Sequence, residues 1–420
     1  MQTTPAAGVI DLDVPDTPRA RRRRADRRPT LAASLLVAAA LLPAGDARPA
    51  APAAAVISVR AEHARSVRLD GDVVYLLTDA SAESYRLSDG ARRWSVSVSD
   101  QALLVHADAE RVVLAGSASL VGLDGATGAE VWRRNGYAFV PDGDAAASGV
   151  ALAWAPTTQM RLAGIDIRTG DVRWTLPAPD GGPRVVLAAG GEVQIADVEQ
   201  DGTLRLRAAG SAAPVYTVRL DLPGSVNRLD VAGGRVLTAV YSHGAMRGFT
   251  VFDLATGRPL WRPPDGPDGG MWWCGRTLCS MTGLSTSGLD PDTGRERWRL
   301  YGWSLLTPLD DRHLLATRNS ADPDRGGLVL DTGTGRVLQT IEGWDVVGTV
   351  AWPGVLVARR DATSGGGALV ARLDAATGAA TPLGHASQWT ASARCVASAR
   401  YLACLHDRLS VWRLPRGIRP

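Results

Sequence analysis

The sequence predicts an all-β chain: one ring of four-stranded antiparallel blades, eight by its turns with seven as the alternative, preceded by one N-terminal apolar helix. Three observations predict it. A turn motif returns along the chain, with glycines at Gly90, Gly128, Gly170, Gly210, Gly257, Gly294, Gly335 and Gly378, spaced by about 41 residues. Between the turns lie short apolar or alternating runs, such as DVVYLLT, RVVLAGS, EVQIADV and RVLTAVY, which read as strands. Helical periodicity is absent past the N-terminal segment. Four short strands with their turns fill about 41 residues, the length of one β-propeller blade.

Ahead of the ring, residues 1–28 are expected to form a disordered cytoplasmic leader, polar and ending in the arginine-rich run Arg19 to Arg28. Residues 29–47 are expected to be a transmembrane anchor or a signal segment. The apolar core from Leu31 to Leu42 has 12 residues, against the roughly 20 that span a bilayer as a helix. The tolerant stretch from Pro29 to Ala47 has 19. The flanking arginines hold the N-terminus in the cytoplasm. The ring is therefore expected outside it, on a single-pass membrane protein or, if the segment is cleaved, as a secreted protein. Residues 48–56 read as an Ala/Pro linker and residues 57–416 as the propeller. The N-terminal AAVISVRAE and the three strands in RCVASARYLACLHDRLSVWRL can close the ring by pairing first and last segments. Counting that closing set gives nine, above the usual four to eight. With the turn at Gly210 degenerate, eight is the expected number.

The clearest copy of the repeat is VFDLATGRPLW, Val251 to Trp261. Its relatives are GLDGATGAEVW (Gly122 to Trp132), GIDIRTGDVRW (Gly164 to Trp174) and GLDPDTGRERW (Gly288 to Trp298). In these four, Asp124, Asp166, Asp253 and Asp290 open the turn. Gly128, Gly170, Gly257 and Gly294 close it, and Trp132, Trp174, Trp261 and Trp298 follow four residues on. Trp94 keeps the same spacing from Gly90. An aspartate accepts hydrogen bonds from N–H groups two or three residues on, which stabilises a tight turn. Glycine takes the positive φ that other residues resist. A tryptophan just inside the next strand can lie between neighbouring blades and contribute about 2–3 kcal/mol of apolar burial.

Composition removes several function classes. The 46 basic residues are all arginine. Without lysine, neither a P-loop nor Schiff-base chemistry is available. The leader holds an excess of arginine, and residues 48–420 hold 39 Arg against 38 acidic residues. A ring so nearly neutral has no bulk field for nucleic acid, and none is expected as a partner. The four cysteines form two close pairs, Cys274 with Cys279 and Cys395 with Cys404, each spanning a hairpin turn, at Arg276-Thr277 and Ala399-Arg400. Residues facing each other across antiparallel strands come close enough for a disulfide. With an export signal, two structural disulfides are the leading reading. A zinc site lacks the required spacing and ligands.

Other motifs dissolve into the repeat. LVLDTGTG, with Asp331, looks like an aspartic-protease motif, and Asp292-Thr293-Gly294 supplies a second D-T-G. The two aspartates occupy different repeat positions, so no proton-sharing dyad follows. His63, His106, His243, His313, His385 and His406 are scattered, without metal-ligand spacing. SGGGAL, Ser364 to Leu369, reads as a hairpin loop. Trp272-Trp273, if exposed, could line a sugar or peptide site.

The repeat resembles the pyrroloquinoline-quinone-like, quinoprotein-type β-propeller repeat, with its aLDaxTGxxxW signature, over about residues 60–415. The polar leader with VIDLD, Val9 to Asp13, followed by an apolar segment, looks like the actinobacterial membrane-anchored members of this group. The resemblance implies two readings. Membrane-assembly scaffolds in the family use a similar ring with no cofactor. Its dehydrogenases hold pyrroloquinoline quinone over the ring's centre, with Ca²⁺, an aspartate base and a vicinal Cys-Cys disulfide. No adjacent cysteine pair occurs here, and no cofactor or metal residue carries over. The expected function is a non-catalytic, extracytoplasmic scaffold binding an envelope protein or extracellular ligand, without cofactor. The alternatives are a quinone- and calcium-dependent dehydrogenase and a glycan- or peptide-binding propeller.

Overall fold

Each strand has an apolar face to bury, and the turns that join them are short, so neighbouring strands pair in sequence. The computed structural model describes residues 55–414, apart from residues 62, 100, 141–147, 158–160, 178–183, 188–192, 200, 223–224, 243–244, 264–269, 304, 318–326, 342–344, 348–354, 361–367, 375–376, 378, 387–393, 399 and 406–407. The leader, the apolar segment, most of the linker and Gly378 lie outside the described residues. Among the described residues no helix is long and apolar enough to cross a membrane.

The described strands form nine four-stranded antiparallel sheets. Eight follow the chain in order: residues 64–97 (blade 1), 103–135 (blade 2), 138–177 (blade 3), 184–219 (blade 4), 225–261 (blade 5), 271–301 (blade 6), 305–341 (blade 7) and 345–386 (blade 8). The ninth adds the N-terminal strand Ala55–Arg60 to three C-terminal strands in 394–413. The fold class is the expected one, and the blade number is nine in place of eight. The extra blade escapes a count of turns because its third and fourth strands are joined by no turn. They come from opposite ends of the chain. Val59 lies opposite Leu409 and Arg60 opposite Arg408.

The first strand of each blade is innermost: first strands touch between blades 1 and 2, 4 and 5, 5 and 6, 6 and 7, 8 and 9, and 9 and 1. Apolar side chains fill the walls between blades. Val74, Leu76, Tyr401 and Leu409 lie between blades 9 and 1. Val113, Ala151 and Ile165 lie between blades 2 and 3, and Leu330, Leu314 and Cys279 between blades 6 and 7. Each blade thus buries both faces, which is why runs such as VVYLLT are apolar without alternation.

The fourth blade corrects one detail. The residue closing its turn is Ala212, whose N–H donates to Ala208 O at 2.8 Å, and whose φ is +56°. That is the bond and the conformation Gly128 makes in blade 2, with its N–H on Asp124 O at 2.8 Å and φ of +74°. Gly210 therefore does not close the turn, as the sequence led us to expect. Four residues past Ala212 stands Tyr216, in the place the other copies give to tryptophan.

Candidate functional site

The repeat residues assemble into an inter-blade staple at one end of the ring. The Asp124 Oδ1 atom accepts from the Thr127 N–H and the Thr127 hydroxyl, both at 2.8 Å. Asp253 does the same with Thr256 at 2.9 Å, and Asp331 with Thr334 at 2.8 and 2.7 Å. Asp166 and Asp290 accept from the two following turn N–H groups. The Thr127 and Thr256 hydroxyls, followed by the turn N–H groups, hold the carboxyls of Asp124 and Asp253 below their ordinary range. At Asp290, partial burial alone would raise the carboxyl. Hydrogen bonds from Arg297, Thr293 and Asp292 outweigh it and hold the pKa down to about 2.

Each tryptophan reaches the turn of the next blade. The indole N–H donates to a backbone carbonyl there: Trp94 to Gly125 at 3.1 Å, Trp132 to Ile167 at 3.3 Å, Trp174 to Ala209 at 3.0 Å, Trp261 to Pro291 at 2.9 Å and Trp298 to Thr332 at 2.8 Å. Two glycines clamp the ring. One is the turn glycine of the next blade: a Cβ on Gly170 would lie 2.5 Å from Trp132, and one on Gly294 2.5 Å from Trp261. The other opens the motif in the tryptophan's own blade. A Cβ on Gly122, Gly164 or Gly288 would come within 2.2 Å of Trp132, Trp174 or Trp298. This second glycine is visible in the repeat as the residue ten before tryptophan, and only its partner in space gives it meaning. In blade 4, Tyr216 replaces the indole, and its hydroxyl donates to Leu254 O at 3.0 Å.

The two disulfides form, Cys274–Cys279 and Cys395–Cys404. Cys395 faces Cys404 directly. Cys274 instead faces Thr277, and Cys279 faces Trp272, so this bridge runs diagonally and the turn is at Gly275-Arg276. The expected facing geometry holds for the second pair alone. Trp272 and Trp273 do not make one platform. Successive strand residues point to opposite faces, and Trp272 packs at the wall with blade 7 while Trp273 packs at the wall with blade 5.

The protease-like aspartates serve different local structures, Asp331 holding its own turn and Asp292 receiving Arg235 at 2.6 Å. His106 meets Asp108 at 2.7 Å, and the other oxygen of Asp108 accepts the N–H groups of Glu110 and Arg111. That too is a turn. Among the described residues no group of three His, Cys, Asp or Glu is placed to hold a metal ion. Cys274 and Cys279 are fully buried within the wall of blade 6. Neither sulfur is placed to lie against a quinone, so these residues do not fit that cofactor.

The feature that departs from the repeat lies at the opposite end of blade 6. Each blade is a meander, so the turn between its second and third strands lies opposite the staple. In blade 6 that turn carries Leu284, 84% exposed. Beside it the outer strand ends at Tyr301, 72% exposed. Ser285 pairs with Tyr301, and the Gly302 N–H donates to Leu284 O at 2.8 Å, which fixes the two side by side. The Thr286 hydroxyl donates to Trp303 O at 2.8 Å and holds the following half-buried indole to the same end. Neither Met281–Leu289 nor Leu300–Trp303 contains an Asp, Glu, Arg or His. A large leucine and a tyrosine exposed side by side, with the Arg299 guanidinium against the tyrosine hydroxyl, make a surface suited to another protein.

A ring of four-stranded blades, stapled by Asp, Thr-Gly and Trp, defines a repeat β-propeller. Residues 55–200 match the family model described as outer membrane protein assembly factor BamB. Among solved structures, BamB from Moraxella catarrhalis aligns over 86% of this chain and 99% of its own, at 14% identity and a TM-score of 0.44. A eukaryotic initiation factor aligns over 81% of this chain and 93% of its own, at 12% identity and a TM-score of 0.55, a likeness of fold alone. The dihydro-heme d1 dehydrogenase NirN aligns over 67% and 66%, at 16% identity and a TM-score of 0.42. No curated protein matches the chain in sequence. The chain has the β-propeller fold, and its residues 55–200 are similar to that assembly-factor family.

Proposed function

We propose that this protein is a non-catalytic scaffold that holds a protein partner outside the cytoplasmic membrane. The observation that carries the reading is the Leu284–Tyr301 pair, a leucine and a tyrosine exposed side by side on an otherwise well-packed blade. The family match supports it, since the description of that family is an assembly factor. Two hairpin disulfides support an oxidising compartment. The arginine-flanked apolar segment at 29–47 supports tethering to the membrane, with the ring beyond it.

The test is a photoreactive residue at position 301 in intact cells, beside a control at Val337, exposed on the outer strand of blade 7. The reading expects one discrete cross-linked protein from position 301, absent from position 337 and lost on Leu284→Asp. Equal labelling from both positions would sink it. The cofactor-free part of the proposal has its own check. Saturable binding of pyrroloquinoline quinone with Ca²⁺, and dye-linked oxidation of alcohols or sugars, would overturn it.

A further inference from the structure

The outer strand of every blade has one unpaired edge, and such edges invite pairing with another chain unless something blocks them. Three outer strands are blocked at their middle. In blades 2 and 6 the residue after the tryptophan is Arg133 or Arg299, paired with Glu130 or Glu296 on the same strand. In blade 3 the corresponding Thr175 lies under Arg161, which donates to its hydroxyl at 3.2 Å. Blade 4 differs. Its outer strand is Pro214–Arg219, PVYTVR, and four successive residues from Pro214 to Thr217 are exposed. Val215 is 50% exposed, and Tyr216 is 36% exposed where Trp94 is 7%. The arginines of the neighbouring strand are neutralised locally, Arg205 by Glu199 and Arg207 by Asp197. The edge is uncharged, β-branched and aromatic over its middle.

The edge is also complementary to itself. The Leu220 N–H points inward, donating to Gly202 O at 2.8 Å. Backbone groups alternate along a strand, so those of Val215 and Thr217 point out, while the Arg219 carbonyl lies against Gly257 of blade 5. Two copies of this strand, antiparallel about a twofold axis, then pair Thr217 with Thr217. The same register sets Tyr216 against Val218 and Val215 against Arg219. Thr–Thr and aromatic–β-branched pairs are favourable across strands, and no like charges meet. The same operation on blade 2 or blade 6 would set Arg133 or Arg299 against itself, which is unfavourable.

We propose that the Pro214–Arg219 strand pairs with the same strand of a second copy of this chain, joining two fourth blades into one continuous eight-stranded sheet. The interface is isologous, with Thr217 on its axis.

The full-length chain purified in detergent tests this directly. All four native cysteines are in disulfides, so Thr217→Cys introduces the one free thiol. Residues directly opposite across an antiparallel pair have Cα atoms about 5.5 Å apart, within disulfide range. Mild oxidation is expected to give a covalent dimer with Thr217→Cys, and at least tenfold less with Thr175→Cys at the same position of blade 3. By sedimentation, the wild type is expected as a dimer, and Thr217→Arg, an exposed substitution, as a monomer with unchanged circular dichroism. Equal cross-linking of the two cysteine variants would overturn the proposal. So would a monomeric wild type at tens of micromolar, or a dimer that survives Thr217→Arg.

Discussion

Replacing Gly288 by alanine would set a methyl carbon 2.0 Å from Cε2 of Trp298. The indole cannot retreat. On its other side a Cβ on Gly335 would lie 2.3 Å from Trp298, so that gap is filled as well. Its N–H is held on Thr332 O at 2.8 Å, and the residue is buried. Forcing an extra carbon into such packing costs about 1–3 kcal/mol. Alanine in a strand regains about 0.5–1 kcal/mol over glycine. The net expectation is a loss of about 0.5–2 kcal/mol, read as a lowered midpoint in urea unfolding under non-reducing conditions, followed by tryptophan fluorescence. Gly270→Ala is the control. Its nearest neighbour would be Trp272 Cε3 at 3.9 Å, and its effect should stay within about 0.5 kcal/mol. Adding Trp298→Leu to Gly288→Ala should lose less than the sum of the two single changes, by about 1 kcal/mol, because the smaller side chain makes room. A Gly288→Ala variant as stable as the wild type would refute the clamp.

Three further outcomes are expected. Ala212→Gly should stabilise the protein by about 0.5–1 kcal/mol, since the left-handed conformation costs alanine about 1–2 kcal/mol and glycine less; a scan showing a lower melting temperature would contradict this. Asp290→Asn should cost about 1 kcal/mol at neutral pH, since it removes the charge that pairs with Arg297 and strengthens the turn hydrogen bonds. The folded pKa of Asp290 is depressed to about 2, so its contribution is whole above about pH 4 and disappears as pH falls from there to about 2. Unfolding curves of wild type and Asp290→Asn should therefore converge in acid, and a gap that persists at pH 2 would count against the cap. Cys395→Ser with Cys404→Ser should cost about 2–3 kcal/mol from the short loop closed by that bridge, and thiol titration of the denatured, unreduced wild type should find no free cysteine.

The periodic part of this fold was legible and the aperiodic part was not. Asp253, Gly257 and Trp261 could be read as a turn and a wedge because the same chemistry recurs at one spacing. Ala212 carries no glycine signal, because the backbone there asks only for a positive φ, which alanine can adopt at a cost. Tyr216 is hidden with it, since its distance is measured from the turn. The clamp at Gly122, Gly164 and Gly288 was written in the motif, but its reason is a tryptophan on the adjacent strand. The ninth blade was foreseen as a pairing of the chain's first and last strands and then discounted against the usual size of such rings. Leu284 and Tyr301 carry no sequence signal, because exposure is a property of where a turn ends up.

The clasp between Ala55–Arg60 and the C-terminal strands sets an order of events during synthesis. The Arg408 Nε donates to Ser58 Oγ at a separation of 350 residues, and Tyr401 Oη to Asp72 Oδ1 at 329. Neither contact exists until the final strands have left the ribosome. Blades 1 to 8 can stack as they emerge, each on its predecessor, but the outward wall of blade 1 stays bare throughout. That wall includes Val74, Leu76 and Leu87, all fully buried once the ring is shut. Closure is then the last and slowest contact to form, since the entropy of joining distant segments must be met in one step. A chain stalled or truncated before residue 394 is left with two open apolar walls, and its ready partner is another unfinished chain.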